Sequence, residues 1–184
     1  MRRFKLSFLL VLISISSFSQ ISTIKDKINN VINNKNAGIG VAILDLNSNE
    51  SVVINGEGHF PMQSVFKFPI ALKVLNDVDN DKIKLSDSVF ISSAELQKKT
   101  WSTIQEKYPN GNIKMALSDI IYYMVAISDN IGCDVILKNN GGASSVNHYL
   151  RSIGIENMTI KINEAEQQAK PDKQVQNWTT PNEA

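Results

Sequence analysis

Apolar residues along the chain change their spacing near residue 60. Ile21, Ile24, Ile28, Val31 and Ile32 recur at helical intervals and predict an amphipathic helix over 21–35. From Gly38 to Leu46 the chain alternates or runs apolar through Ile39, Val41, Ala42, Ile43, Leu44 and Leu46. Asn47-Ser48-Asn49-Glu50 reads as a turn and Ser51 to Ile54 as a returning strand. Two strands are marginal alone, so this hairpin is expected to belong to a larger sheet. After residue 61 the pattern turns helical. One helix is expected from Ser64 to Leu75, starting near Ser64 or kinking at Pro69. Others are expected over 114–127, over 131–138 ahead of Asn139-Asn140-Gly141-Gly142, and over 143–151 before Gly154. Residues 161–179 are polar, irregular and interrupted by Pro171, which predicts a long loop of the functional or disordered kind. Thr180-Pro181-Asn182-Glu183 carries the signature of a capping box opening a further helix. The first turn of a helix costs free energy that later turns recover, so the C-terminus is expected to be a truncation.

The first residues alter the count of what folds. Arg2, Arg3 and Lys5 precede an apolar stretch from Leu6 to Ile15, and Ser16-Ser17-Phe18-Ser19-Gln20 follows. This predicts a signal peptide over 1–19, cleaved after Ser19, and hence export to the periplasm. The apolar run is too short to span a membrane comfortably, and no stable anchor is expected. Cleavage removes three of the 19 basic side chains and leaves 16 against 18 acidic ones. A chain so near neutrality, 42% hydrophobic and 20% charged, is an ordinary globular domain with no claim on nucleic acid. Cys133 is the single cysteine, so no internal disulfide is expected, and its apolar neighbours suggest a small buried hydrophobe rather than a nucleophile. His59 and His148 have no metal-ligand spacing, and neither a metal nor a cofactor is expected.

Two short motifs can carry chemistry. Ser64-Val65-Phe66-Lys67 is S-x-x-K, which on a helix brings the ammonium to the hydroxyl. A neighbouring amine can take the proton from a serine that is otherwise a poor nucleophile. Ser128-Asp129-Asn130 supplies a second hydroxyl and an amide where a buried helix breaks. Taken singly, the first reads rather as a helix cap beside a solvated lysine, and the second as a polar turn with an N-cap.

Taken together, from about residue 21 to the end, the motifs resemble the class A serine β-lactamases and the penicillin-binding proteins. The resemblance implies that Ser64 is the acylated nucleophile, Lys67 its partner, Ser128 a proton relay and Asn130 a substrate-binding amide. Glu164 lies 36 residues after Ser128, where class A enzymes place the omega-loop glutamate that activates the deacylating water. Glu164 and Glu166 read otherwise as solvated loop charges. Trp101 resembles the aromatic at the cleft entrance, or is a partly exposed core residue. Several positions depart from the common pattern. Gln167 and Gln168 stand where a Leu and an Asn are usual, and Gln168 is the candidate to hold the water. Ile162 and Asn177 occupy the places of an Arg–Asp pair across the loop neck. The stretch from Ser64 to Ser128 is four residues longer than usual. These departures resemble the PER-like and CfxA-like branch, which implies a preference for cephalosporins.

The fold class implied is α/β (α+β), β-lactamase/transpeptidase-like: a five-stranded antiparallel sheet beside a helical half carrying Ser64 and Ser128. No Lys-Thr-Gly or Lys-Ser-Gly occurs, so that wall of the site, three strands and a C-terminal helix are expected beyond residue 184. On this reading residues 20–184 are an incomplete catalytic domain, neither stably folded nor active alone. The full-length enzyme is expected to be a monomer that takes a small-molecule β-lactam. The alternatives are a DD-peptidase, against which Glu164 argues, and an inactive remnant, against which the undamaged motifs argue.

Overall fold

The computed structural model describes residues 23–97 and 99–184. The segment expected to be a signal peptide lies outside them. The described chain falls into two compact units, one reaching to His59 and including Thr180–Asn182, the other comprising Phe60–Thr179 with Glu183–Ala184.

In the first unit, residues 23–32 form helix α1, and β1 (Val41–Leu44) pairs antiparallel with β2 (Ser51–Ile54), Val41 opposite Ile54 and Leu44 opposite Ser51. Asp45 makes the turn, its carboxylate accepting the N–H groups of Asn47 at 2.8 Å and Ser48 at 3.2 Å. These bonds, that from Asn47 foremost, hold the Asp45 carboxyl below its ordinary pKa. Asn49 then takes the left-handed conformation (φ 59°) that asparagine tolerates. The hairpin lies within the residues that alternation marks. Val52 is buried, whereas Ile43, Leu44 and Leu46 are exposed.

The second unit holds the apolar core. A 3-10 turn over Gln63–Phe66 runs directly into α2 (Lys67–Asp79). Pro69 falls in the first turn of α2, where backbone N–H groups lack helical partners, so it costs no bond and no kink is needed. β4 (Ser88–Ile91) pairs with β5 (Ile113–Ala116). Between them lie two short helices, α3 (Ser93–Leu96) and α4 (Thr103–Lys107). The helix expected from 114 starts later: α5 is Leu117–Ala126, and Ile113–Ala116 belong to the strand.

Helices α6 (Asn130–Asn139) and α7 (Gly142–Ser152) follow, within a residue of expectation. Residues 130–137 are all buried, which makes α6 the central rod of the unit. Gly132 packs closely between α4 and α5: a Cβ there would stand 3.3 Å from Ile104 Cδ1 and 3.5 Å from the Ile120 carbonyl oxygen. The core around the rod includes Phe66, Ile70, Val74, Ile104, Ile120, Met124 and Leu150.

The expected long loop carries more order than its composition suggests. β6 (Met158–Thr159), helix α8 (Glu164–Ala169) and β7 (Trp178–Thr179) lie along it, and β7 is the middle strand of a three-stranded sheet with β3 (Phe60–Pro61) and β6. Pro181–Glu183 form a 3-10 turn. The Glu183 carboxylate accepts the backbone N–H groups of Glu156 and Asn157 rather than serving only a local cap. Among the described residues no helix is long and apolar enough to cross a membrane.

Candidate active site

Ser64 sits exposed on the 3-10 turn, just after Gln63, whose φ of 46° is a left-handed conformation uncommon for a side chain of its kind. Lys67, one turn on, is buried with its ammonium 3.2 Å from Ser64 Oγ. Ser128 also has a positive φ, 61°, in the break between α5 and α6. That conformation turns its hydroxyl toward Ser64, to whose Oγ it donates at 3.0 Å. Two strained positions therefore flank one pair of hydroxyls, a pattern associated with functional sites.

Lys67 is the hub. Its Nζ lies 2.8 Å from the Ser128 carbonyl oxygen, 3.1 Å from Ser128 Oγ, 2.5 Å from Asn130 Oδ1 and 2.9 Å from Glu164 Oε1. With Ser64 this makes five acceptors for three ammonium hydrogens, so the bonds are shared. Lys67 and Glu164 are each about 3% exposed, so each supplies the counter-charge that the other's burial demands. Among the described residues Glu164 Oε1 meets only the Lys67 ammonium, at 2.9 Å. It retains a lone pair for a further donor.

Three residues outside the sequence motifs' assigned roles build this arrangement. Asp129, fully buried, caps α6 by accepting the Gly132 N–H at 2.8 Å, and also takes the Ile104 N–H and the hydroxyls of Ser102 and Thr103. It thereby ties α4 to the Ser128–Asn130 turn. Asp134 on α6 accepts the N–H groups of Glu164 at 2.7 Å and Ala165 at 3.2 Å, satisfying orphan donors of α8 and fixing the backbone of Glu164. Asn177 closes the neck of the 161–177 segment. Its Oδ1 accepts from Lys161 and Ile162, and its Nδ2 donates to the Ile162 carbonyl and Gln167 Oε1, all within 3.1 Å. An amide with both a donor and an acceptor thus fills the position where an ion pair was noted as missing. The signal for Asp134 was its charge within the otherwise apolar run 131–137; that for Asn177 was only its place where the resemblance puts an Asp at the loop neck.

The other candidates separate cleanly. Asn130 faces Lys67 and is brought into the site. Glu166 is not: its carboxylate accepts the Asn163 N–H while its own N–H is capped by Asn163 Oδ1, a reciprocal box that opens α8. Gln168 Nε2 lies 3.5 Å from Glu164 Oε2, at the rim of the site. The Trp101 side chain is 57% exposed, with its indole N–H toward the Ile127 carbonyl. Its own carbonyl accepts the Asn130 N–H at 3.1 Å, which places it beside the Ser128–Asn130 turn. Cys133 is sealed in the core; burial first, then the carboxylates of Glu164 and Asp134, push its thiol well above the ordinary range, which suits a packing role. Among the described residues no cluster of three metal-ligating side chains occurs.

Comparisons with known proteins place the chain among its relatives. A model of the β-lactamase enzyme family matches residues 23–184. The β-lactamase VEB-1 of Pseudomonas aeruginosa is 43% identical over 94% of this chain, and the extended-spectrum β-lactamase PER-1 of the same species 34% identical over 93%. The chain spans 59% of the first and 56% of the second. Among solved structures, a β-lactamase from Chitinophaga pinensis superposes with a TM-score of 0.82 at 38% identity, covering 86% of this chain and 58% of that one. The TLA-1 extended-spectrum β-lactamase gives 0.85 at 36% identity, covering 88% and 59%. With the serine, lysine and glutamate of the site within one hydrogen-bonded cluster, and relatives of this likeness over nearly the whole chain, the chain belongs to the class A β-lactamase family.

Proposed function

We propose that the full-length protein opens the β-lactam amide through an acyl-enzyme on Ser64. The observation that carries this reading is the buried Lys67 ammonium, within 3.2 Å of both serine hydroxyls, Asn130 and Glu164. A proton passed from Lys67 to Glu164 leaves an amine beside Ser64 Oγ. Ser64 Oγ then bonds to the lactam carbonyl carbon while Lys67 takes its proton, and the backbone N–H of Ser64 faces the developing oxyanion. As the carbon–nitrogen bond breaks, the leaving nitrogen takes the Ser128 proton, which Lys67 replaces across 3.1 Å. For deacylation, Glu164 first returns its proton to Lys67, 2.9 Å away, and the carboxylate so restored takes a proton from water as the water oxygen attacks the ester. The Ser64 oxygen leaves and recovers a proton from Lys67. Asn130 holds the substrate amide, and Trp101 and Gln168 lie at the rim. Cephalosporins are the proposed substrates, in keeping with two relatives named as extended-spectrum enzymes. Residues 1–19 direct export to the periplasm, which N-terminal sequencing of the periplasmic protein tests by a start at Gln20.

The decisive experiment is made on the full-length gene product. Glu164→Ala is expected to acylate and then stall, leaving a covalent adduct on Ser64 by mass spectrometry; Ser64→Ala is expected to form none. Rapid turnover by the Glu164 variant sinks the mechanism. A stalled adduct with Glu164 intact indicates a peptidase instead.

A further inference from the structure

Five side chains of the site form a closed ring. Lys67 Nζ donates to Asn130 Oδ1 at 2.5 Å, Asn130 Nδ2 to Thr100 Oγ1 at 2.8 Å, and Thr100 Oγ1 to Gln168 Oε1 at 2.9 Å. Gln168 Nε2 then approaches Glu164 Oε2 at 3.5 Å, and Glu164 Oε1 returns to Lys67 at 2.9 Å. Thr100, in the link between α3 and α4, joins the Ser128–Asn130 turn to α8 although 68 residues separate it from Gln168.

We propose that Thr100 is a positioning residue for deacylation, setting the orientation of the Gln168 amide and through it the Glu164 carboxylate. This rests on the reading of Glu164 as the deacylating base. The argument is one of donors and acceptors. Each amide could present either end to a neighbour. The Asn130 oxygen is claimed by the ammonium, so its NH2 must face Thr100. The single hydroxyl hydrogen of Thr100 is then free to go to Gln168, which must offer its oxygen there and its NH2 to Glu164. Gln168 is exposed, so packing holds its amide only weakly. Without the hydroxyl the amide is free to turn, and a carbonyl oxygen facing the carboxylate repels it. A donor on Oε2 also leaves Oε1, which meets only the Lys67 ammonium, as the oxygen with a lone pair left for a water. Lys67, Ser64 and Ser128 keep their mutual bonds whatever Thr100 does, so acylation is left nearly intact.

The test is pre-steady-state kinetics on the full-length gene product with a chromogenic cephalosporin, acylation and deacylation resolved by mass spectrometry. Thr100→Val, which keeps shape and removes the hydroxyl, is expected to slow deacylation about ten-fold, the scale of one positioned hydrogen bond, with acylation changed less than about three-fold. Thr100→Ser is expected to restore the wild-type rate, and Thr100→Val added to Glu164→Ala to slow deacylation no further. Gln168→Leu is expected to reproduce the deacylation loss, and decides the matter alone should the valine variant not fold. Equal slowing of both steps, no rescue by serine, or normal deacylation in Gln168→Leu overturns the proposal. Failure of Glu164→Ala itself to accumulate acyl-enzyme refutes the underlying reading rather than the role of Thr100.

Discussion

In the unit that carries the site, Phe66, Ile104, Ile120, Met124 and Leu150 have essentially no exposed surface. In the hairpin unit Ile43, Leu44 and Leu46 stand 46%, 55% and 84% exposed. The difference separates what fixes the chemistry from what accompanies it. A buried ammonium, three buried carboxylates and a buried amide can be kept in one arrangement only where close-packed apolar neighbours hold their backbones and every charge finds a partner. The helical unit supplies that frame around α6. Among the described residues the hairpin makes its ladder and its Asp45 turn with Val52 buried and Ile43, Leu44 and Leu46 exposed, and no site residue stands on it.

The comparison is tested most severely where a polar group holds the frame together. Asp129→Ala removes the acceptor for the Gly132 and Ile104 N–H groups and the Ser102 hydroxyl in a fully buried position. A loss of more than about 3 kcal/mol is expected in urea denaturation. A cost under about 1 kcal/mol contradicts the claim that the site depends on this frame.

Asn177→Asp is the next largest. The carboxylate can still accept from Lys161 and Ile162 but can no longer donate to the Ile162 carbonyl or to Gln167. A loss of about 1–3 kcal/mol is expected, with proteolytic cutting concentrated in 161–177. Cutting spread evenly over the chain argues against a neck at Asn177.

A smaller effect is expected from acid. Burial tends to raise the Asp77 carboxyl, but the bonds from Lys73 and Lys82 outweigh it and the net pKa is lowered; at Glu95 burial is likewise outweighed, there by Lys138 and Ser92. A carboxyl lowered in the folded state stabilises it above the unfolded pKa of about 4 and loses that contribution as pH falls through the folded value. The urea midpoint is therefore expected to drop below about pH 4, with a shallower drop in Asp77→Asn. An unchanged slope removes Asp77 from the account.

Smallest of all, Leu46→Ser on the hairpin is expected to shift stability by less than about 0.5 kcal/mol while raising solubility. A large loss in equilibrium denaturation would show that Leu46 is not a surface residue.

Sequence reading reached the members of the candidate site better than the frame that holds them. Ser64 and Lys67 could be found because three-residue spacing on a helix is local, and Glu164 because the count from Ser128 is fixed in the family it resembles. The hairpin was legible because its alternation and its Asn-rich turn sit side by side in the chain. Non-local pairing was not: Ile113–Ala116 resembles the start of a helix until Ser88–Ile91 is placed against it. α8 is six residues with no large apolar side chain, too short to show a period, and is held by Asp134 from 30 residues away. Thr100 belongs to no motif; its part depends on two amides that only the fold brings within reach.

The neck at Asn177 has a consequence for the surroundings in which the protein can work. An ion pair closing such a segment weakens as dissolved electrolyte screens it, most of all near the surface. The amide of Asn177 carries no net charge, and its four bonds are dipolar and buried. The 161–177 segment that carries Glu164 is thereby closed by bonds indifferent to ionic strength, so changes in salinity are expected to leave it in place.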